Sequence, residues 1–466
     1  MNAEKIIEIA AKIADKTNVK IYITGGYLRD LLLQKKAAAD IDFVVYKDAK
    51  KTAKAFARAV KGSFVELSDA FGIYRVICKE GFICDFSKGR GRKIEEDLQE
   101  RDFTVNALAK EAHGGELIDI FDGVKDLKNG IIRETTGSRV YKKDPLRLLR
   151  AVRFAAALSF KLAPATEKNI KANAALISKP AKERVRDELF KLLETEDSAA
   201  YVELADKLGL LDKIFPVLKE MKGVSQPGFH HLDVFGHSLE TLRKLEEIYL
   251  RPEFEISAKQ LELLRAKMKE KSGQFDRSTF LKLTALLHDS GKPKTKSKDK
   301  KGTHFYNHEL VGAEIFKKIG RQLKLSNEEI NTGMNIIKCH LRTGYLAGLK
   351  KISKKAVYKF LRDTGDAALE VLLLSWADRL SARGVKVDKK TLALHKKVIE
   401  GLFEAYYKTT TETKKAALLN GHELMKHFKL SPSPLIGKLL EKAREAEATG
   451  KVKTKKEALS YLKRYI

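Results

Sequence analysis

The chain has 466 residues, enough for about three domains, and its 43% apolar content can fill real cores, which excludes a globally disordered chain. Lys and Arg number 91 against 62 Asp and Glu, and the formal charge of +29 predicts attraction to a polyanion, either nucleic acid or an anionic membrane. There is no apolar run of about 18 residues, and the N-terminal MNAEKIIEIAAK mixes acids with its apolar residues, so neither a membrane span nor a secretory leader is expected and no membrane partner is foreseen. Three cysteines, Cys78, Cys84 and Cys339, form no CxxC, and their odd number argues against a disulfide framework and for a reducing, cytoplasmic setting.

In chain order, residues 1–20 read as an amphipathic helix with Ile6, Ile9, Ala10 and Ile13 on one face. Val19–Ile23 alternates as a strand and runs into the Gly25-Gly26 turn, after which Tyr27–Leu33 restarts a helical pattern. Ile41–Val45 is a second strand, and Tyr74–Cys78 with Phe82–Phe86 reads as a hairpin through Glu80-Gly81. From about Asp144 the strand signals vanish and helical periodicity takes over. The fold class is therefore α+β, a mixed head followed by all-helical segments. The expected domains are 1–134 (head), 135–222 (helical neck), 223–400 (second helical domain) and 401–466 (basic tail), with Gly223, Pro227 and Gly228 marking the middle boundary. Lys292–Lys301, with six lysines and one aspartate, is expected to be an exposed loop.

Asp40-Ile41-Asp42 carries the first chemistry. In a strand, residues i and i+2 share a face about 6–7 Å apart, so the two carboxylates converge among apolar neighbours. Each raises the other's pKa, and Mg²⁺ is the partner that relieves this with phosphate oxygens as further ligands. Such a two-metal pair suits in-line attack of a 3′-hydroxyl on a triphosphate. Gly25 and Gly26 let backbone N–H groups approach the same anion, with Arg29-Asp30 a fixed step beyond.

With these motifs the head resembles the class II tRNA nucleotidyltransferase and bacterial poly(A) polymerase family, as a polymerase-β-like fold. Arg101-Asp102-Phe103-Thr104-Val105-Asn106 is similar to the family's ribose-contacting segment, which implies sugar contacts for Asp102 and Asn106. Asp119–Leu127 resembles the element coupling head and neck. Asp144-Pro145-Leu146-Arg147, followed by Arg150 and Arg153, resembles the helix that reads the incoming base, and Glu183–Leu189 the neck helix behind it. At spacing i, i+3, Asp144 and Arg147 would share one helix face and offer an acceptor and a donor fork to the edge of cytosine or adenine. Asp85 is a candidate third carboxylate.

Two departures from the family pattern stand out. Lys143 occupies the place of a usual Glu, and the segment from Asp85 to Asp97 is short, like that of relatives adding only two cytidines. The resemblance implies CMP and AMP transfer from CTP and ATP to the tRNA 3′ end, with Mg²⁺ in the head. CC addition alone, poly(A) polymerisation, and a phosphohydrolase with an RNA-binding head are the alternatives.

A second constellation comprises His237, His288-Asp289 and Asp378 on three helices, a mixed imidazole and carboxylate set for a divalent metal such as Mg²⁺, Mn²⁺ or Ni²⁺. It resembles an HD-type phosphohydrolase, which implies action on 2′,3′-cyclic phosphate or 2′-phosphate ends. His308 and His340 lie where that family places further histidines, as candidate second-metal ligands or phosphate contacts. The basic stretch Lys438–Lys456 is expected to be helical and to bind RNA phosphates.

Overall fold

A computed structural model of the chain describes residues 2–35, 39–226, 228, 231–250, 254–300, 302–384, 388–411 and 417–466. Pro227 lies outside the described residues. The chain divides into two compact units, residues 1–214 and 215–466.

The first unit opens with helix α1 (Ala3–Thr17), started by Asn2, whose side chain accepts from the Lys5 amide and so satisfies an otherwise unpaired donor. Its buried face is Ile6, Ala10, Ile13 and Ala14, while Ile9 lies at the margin. Strand β1 (Lys20–Thr24), helix α2 (Gly26–Leu32) and strand β2 (Asp40–Tyr46) follow. Helix α3 (Ala49–Ala59) and strand β3 (Ser63–Ser68), which the sequence pattern does not single out, precede the expected hairpin of β4 (Ile73–Ile77) and β5 (Ile83–Lys88). With β6 (Ala109–Glu111) these form one six-stranded sheet in the order β3-β4-β5-β2-β1-β6. Only the β2–β5 pairing is parallel, and it sets Asp42 opposite Asp85, while β1 sets Thr24 opposite Asp42 on the other side. Phe43, Phe56 and Phe86 pack between the sheet and α3, with the Phe43 and Phe86 rings stacked at 4.9 Å.

Helix α4 (Ile94–Gln99) lies before the Arg101–Asn106 segment, and α5 (Gly123–Asn129), α6 (Arg139–Lys143) and α7 (Arg147–Leu158) carry the chain out of the head. Helix α7 buries eight of its twelve residues and packs against Lys182–Leu193.

The second unit is built of helices around Trp376 and the buried Leu369–Leu374 run. Its tail has a small core of its own, Leu424, Leu439, Ala458 and Leu462 among others. The rear is not purely helical: Ser297–Asp299 pairs with Gly302–His304, and two-residue strands pair elsewhere. The lysine-rich stretch is accordingly part helix (Lys292–Thr295) and part hairpin rather than loop, and Lys292 itself is buried. The tail's basic stretch is helical, as parts of two helices, Pro434–Ala448 and Lys455–Leu462.

Candidate active site and metal centre

A cleft of about 1180 Å³ opens over the C-terminal end of β1 and the start of β2. Gly25, Gly26, Arg29 and Asp42 line one part of it, and Asp144, Arg147 and Arg150 another. Asp40 and Asp42 project to the same face of β2 while Ile41 and Phe43 on the opposite face are buried. Both carboxylates are thus exposed, contrary to the expected apolar surround, and Asp42 lines the cleft; on their own face the strand is buried only further along, at Val44. The cleft walls still displace water from Asp42. That desolvation, with the charges of Asp85 and Asp40, raises its pKa against the opposing pull of Arg101. Among the described residues neither Asp40 nor Asp42 makes a direct ion pair, although the charges of Arg101 and Arg75 act on Asp42. Asp85 lies in the middle of β5, and both its oxygens accept from Arg75 at 2.8 Å.

Gly25 adopts φ +73°, and a Cβ there would stand 3.0 Å from Asp42 Oδ2 and 3.2 Å from Arg101 Nη1. The glycine turn is therefore required both by its backbone and by the close approach of the carboxylate. Arg101 is a residue that motif reading passed over. Its guanidinium donates to Thr24 Oγ1 at 2.8 Å and to Asp97 at 3.3 Å, which fixes a cation beside Asp42.

A polar chain crosses the cleft floor. Arg29 donates to Asn106 Oδ1 at 2.9 Å, and Asn106 Nδ2 donates to Asp102 at 3.2 Å. Arg150 donates twice to Asp102, at 2.7 and 3.0 Å, and Glu188 accepts from Arg150 and Arg153 at 3.4 and 2.7 Å. Burial pushes the Asp102 carboxyl up, but Arg150 outweighs it and holds the pKa below its ordinary value. Glu188, nearly fully buried, is a second residue the motif reading left without a role.

Asp144 and Arg147 do not share a helix face. Asp144 is extended (φ −140°, ψ 100°) between α6 and α7, as expected of a residue before proline, and Arg147 is the first residue of α7. Each is anchored separately: Arg184 donates to Asp144 Oδ2 at 2.8 Å, and Arg147 donates to the Glu100 carbonyl at 2.7 Å.

The second unit brings together His237, His288, Asp289, His308, His340 and Asp378, with ligand atoms of three overlapping trios within 4.8 Å of one another. His288, His308 and His340 each donate Nδ1–H to the carbonyl three residues back, at 2.8, 2.7 and 2.6 Å. Ser381 donates to the Asp378 carbonyl at 2.7 Å and so accepts from His237 Nδ1–H at 3.1 Å. All four imidazoles therefore turn Nε2 inward, three of them with its lone pair free, while His237 Nε2 lies 2.9 Å from Asp378 Oδ1. They surround Asp289, whose Oδ2 lies 3.3 Å from His288 and 3.6 Å from His237, and whose Oδ1 lies 3.3 Å from His308 and 4.0 Å from His340. His288 Nε2, His308 Nε2 and Asp289 Oδ1 are buried with no hydrogen-bond partner, a donor set that fits divalent cations. Burial pushes the His340 imidazole down to about 3, keeping it a neutral ligand. Lys292 Nζ stands 2.6 Å from Asp289 Oδ2 and donates to Gln226 Oε1 at 2.6 Å.

The Poly A polymerase head domain family matches residues 21–133, the HD domain family 234–383, and tRNA nucleotidyltransferase domain 2 309–462. The A-adding tRNA nucleotidyltransferase of Deinococcus radiodurans is 34% identical over 453 residues, covering 95% of each chain. The chain belongs to the tRNA nucleotidyltransferase family. The CC-adding tRNA nucleotidyltransferase of Thermus thermophilus is 31% identical, over 94% of this nucleotidyltransferase and 92% of that one. Among solved structures, a CCA-adding enzyme with ATP shares the fold at a TM-score of 0.70 and 23% identity, covering 99% of this chain and 95% of that one. The Thermotoga maritima CCA-adding enzyme complexed with tRNA does so at 0.66, with 23% identity over 100% and 96%. Membership of this nucleotidyltransferase family implies divalent metal use, and the histidine and aspartate cluster of the second unit supplies donors that could hold an ion. No helix among the described residues is long and apolar enough to cross a membrane.

Proposed function

We propose that the chain transfers CMP and AMP from CTP and ATP to the tRNA 3′ end, building or repairing CCA without a nucleic-acid template. The observation that carries this reading is the single cleft that holds Asp42 and the glycine turn together with Asp144 and Arg147. On this reading Gly25 and Gly26 admit the triphosphate and Arg29 and Arg101 offset its charge. Asp102 and Asn106 orient the ribose, Asp102 acting through the hydrogen bonds that fix Asn106 and Arg150. Asp144 and Arg147 present an acceptor and a donor fork to the base edge, and Arg153 braces the wall through Glu188. Asp40 and Asp42, with Asp85 alongside, would hold Mg²⁺, which when bound activates the primer hydroxyl and stabilises the leaving pyrophosphate.

A second reading has a specific observation behind it: only Gly89–Lys93 separates β5 from α4, and the relatives above include enzymes named for adding A alone and CC alone. On that reading this chain adds only part of CCA.

The HD cluster would serve as a phosphohydrolase for cyclic or 2′-phosphate RNA ends. Divalent ions there (Mg²⁺, Mn²⁺ or Ni²⁺) would be held by His237, His288, Asp289 and Asp378, with His308 and His340 for a second ion. The division of labour follows the four segments 1–134, 135–222, 223–400 and 401–466, and three buried free cysteines support a cytoplasmic setting. Replacing both Asp40 and Asp42 by Ala abolishes nucleotide addition while cyclic phosphodiesterase activity persists. Addition that survives the double substitution overturns the assignment of Asp40 and Asp42, whereas a native chain that hydrolyses cyclic phosphate but adds no nucleotide is a phosphohydrolase with an RNA-binding head.

A further inference from the structure

Lys143 and Glu100 lie 43 residues apart in sequence, yet Lys143 Nζ donates to both carboxylate oxygens of Glu100 at 2.6 Å. Glu100 directly follows α4, and its carbonyl accepts from Arg147 at 2.7 Å. One residue therefore grips both ends of the Lys143–Arg147 turn, by its side chain at one end and its backbone at the other. Asp144 lies between these grips, stiffened by Pro145 and tied on its far side to Arg184. Glu100, Asp144, Arg147 and Arg184 all line the main cleft, and they also line a neighbouring cavity of about 580 Å³ to which Lys143 contributes. The pair is half exposed, so stabilising the fold does not account for it. A glutamate at 143 would put like charges face to face.

We propose that the Glu100–Lys143 ion pair is a positioning device for nucleotide selection, which sets where Asp144 and Arg147 stand relative to the incoming base. This rests on the reading that those two residues contact the base. Cytosine and adenine both offer an amino donor beside a ring-nitrogen acceptor, but on rings of different size and reach, so a turn displaced by about 1 Å favours one over the other. Neither Glu100 nor Lys143 need touch the nucleotide.

The test measures kcat and KM for CTP and ATP separately on tRNA lacking CCA, for Glu100→Gln, Lys143→Glu, Lys143→Arg and the swap Glu100→Lys/Lys143→Glu, with melting temperatures as a folding control. Glu100→Gln and Lys143→Glu should change the CTP-to-ATP ratio of kcat/KM by about fivefold, chiefly through KM. Lys143→Arg and the swap should return it to within about twofold of the native ratio. An unchanged ratio in Glu100→Gln and Lys143→Glu, or a change that the swap does not reverse, overturns the proposal. Arg147→Ala in the same assay separates the two failures. If it alters the ratio and the pair variants do not, only the positioning role is lost; if it leaves the ratio unchanged, the base-reading assignment itself falls.

Discussion

Asp42 shows how a single residue can set function against stability. Its carboxyl is desolvated by the cleft and lies near Asp40 and Asp85, so its pKa stands above the ordinary 3.8. The folded chain then binds this proton more tightly than the unfolded one, and stability falls as pH rises through the interval above 3.8. At neutral pH the native chain bears that cost, reduced by solvent because the carboxylate is exposed. Asp42→Asn should therefore melt higher at pH 7, by about 2 °C, with the gap closing as pH falls toward the ordinary carboxylate range, while transfer drops about 1,000-fold. A calorimetric pH series checks the first part; an Asn variant that melts lower at pH 7 refutes the electrostatic account. Asp40 and Asp42 were legible in the sequence because the two-residue period of a strand is a local property. Arg101 and Glu188 were not, since what fixes their roles is contact with Thr24 and Arg150, residues far away in the chain.

At the scale of elements, the base-reading turn and the histidine cluster differ in how well the sequence announced them. An i, i+3 spacing suggested one helix face for Asp144 and Arg147, but Pro145 pushes the residue before it out of the helical region, so α6 ends and α7 begins between them. The histidines were readable as ligands, and their geometry comes from the helices that carry them. Three sit at or beside helix termini, where the carbonyl three residues back takes Nδ1–H and turns Nε2 inward. Burial pushes the His288 imidazole down, but Asp289 outweighs it and holds the pKa above the ordinary 6.5. A proton and a metal ion compete for that lone pair, so metal affinity rises with pH through the imidazole range. Bound divalent metal, measured by elemental analysis after dialysis, should be retained at pH 8 and largely lost near pH 5.5. His288→Ala should weaken binding about tenfold or more at pH 8. Metal content that ignores pH and the substitution would remove the cluster from metal chemistry. Helix α3 and strand β3 escaped the sequence reading because α3 is rich in lysine and alanine and β3 is largely exposed.

For the whole molecule, a charge of +29 is spread over a chain with two chemically distinct centres, one in each compact unit. The order of motifs made the head and the HD cluster legible together. Which nucleotide ends the product was not, because on the proposed reading that depends on where Asp144 and Arg147 stand, which long-range pairs such as Glu100–Lys143 would set. The most direct test supplies purified protein with tRNA ending at the discriminator base, together with CTP and ATP, and sequences the 3′ ends. Products that stop at CCA, with one C added from CTP alone onto tRNA already ending in C, are the predicted result. Long adenosine tails, or unextended tRNA whether it ends at the discriminator, at C or at CC, would contradict the account.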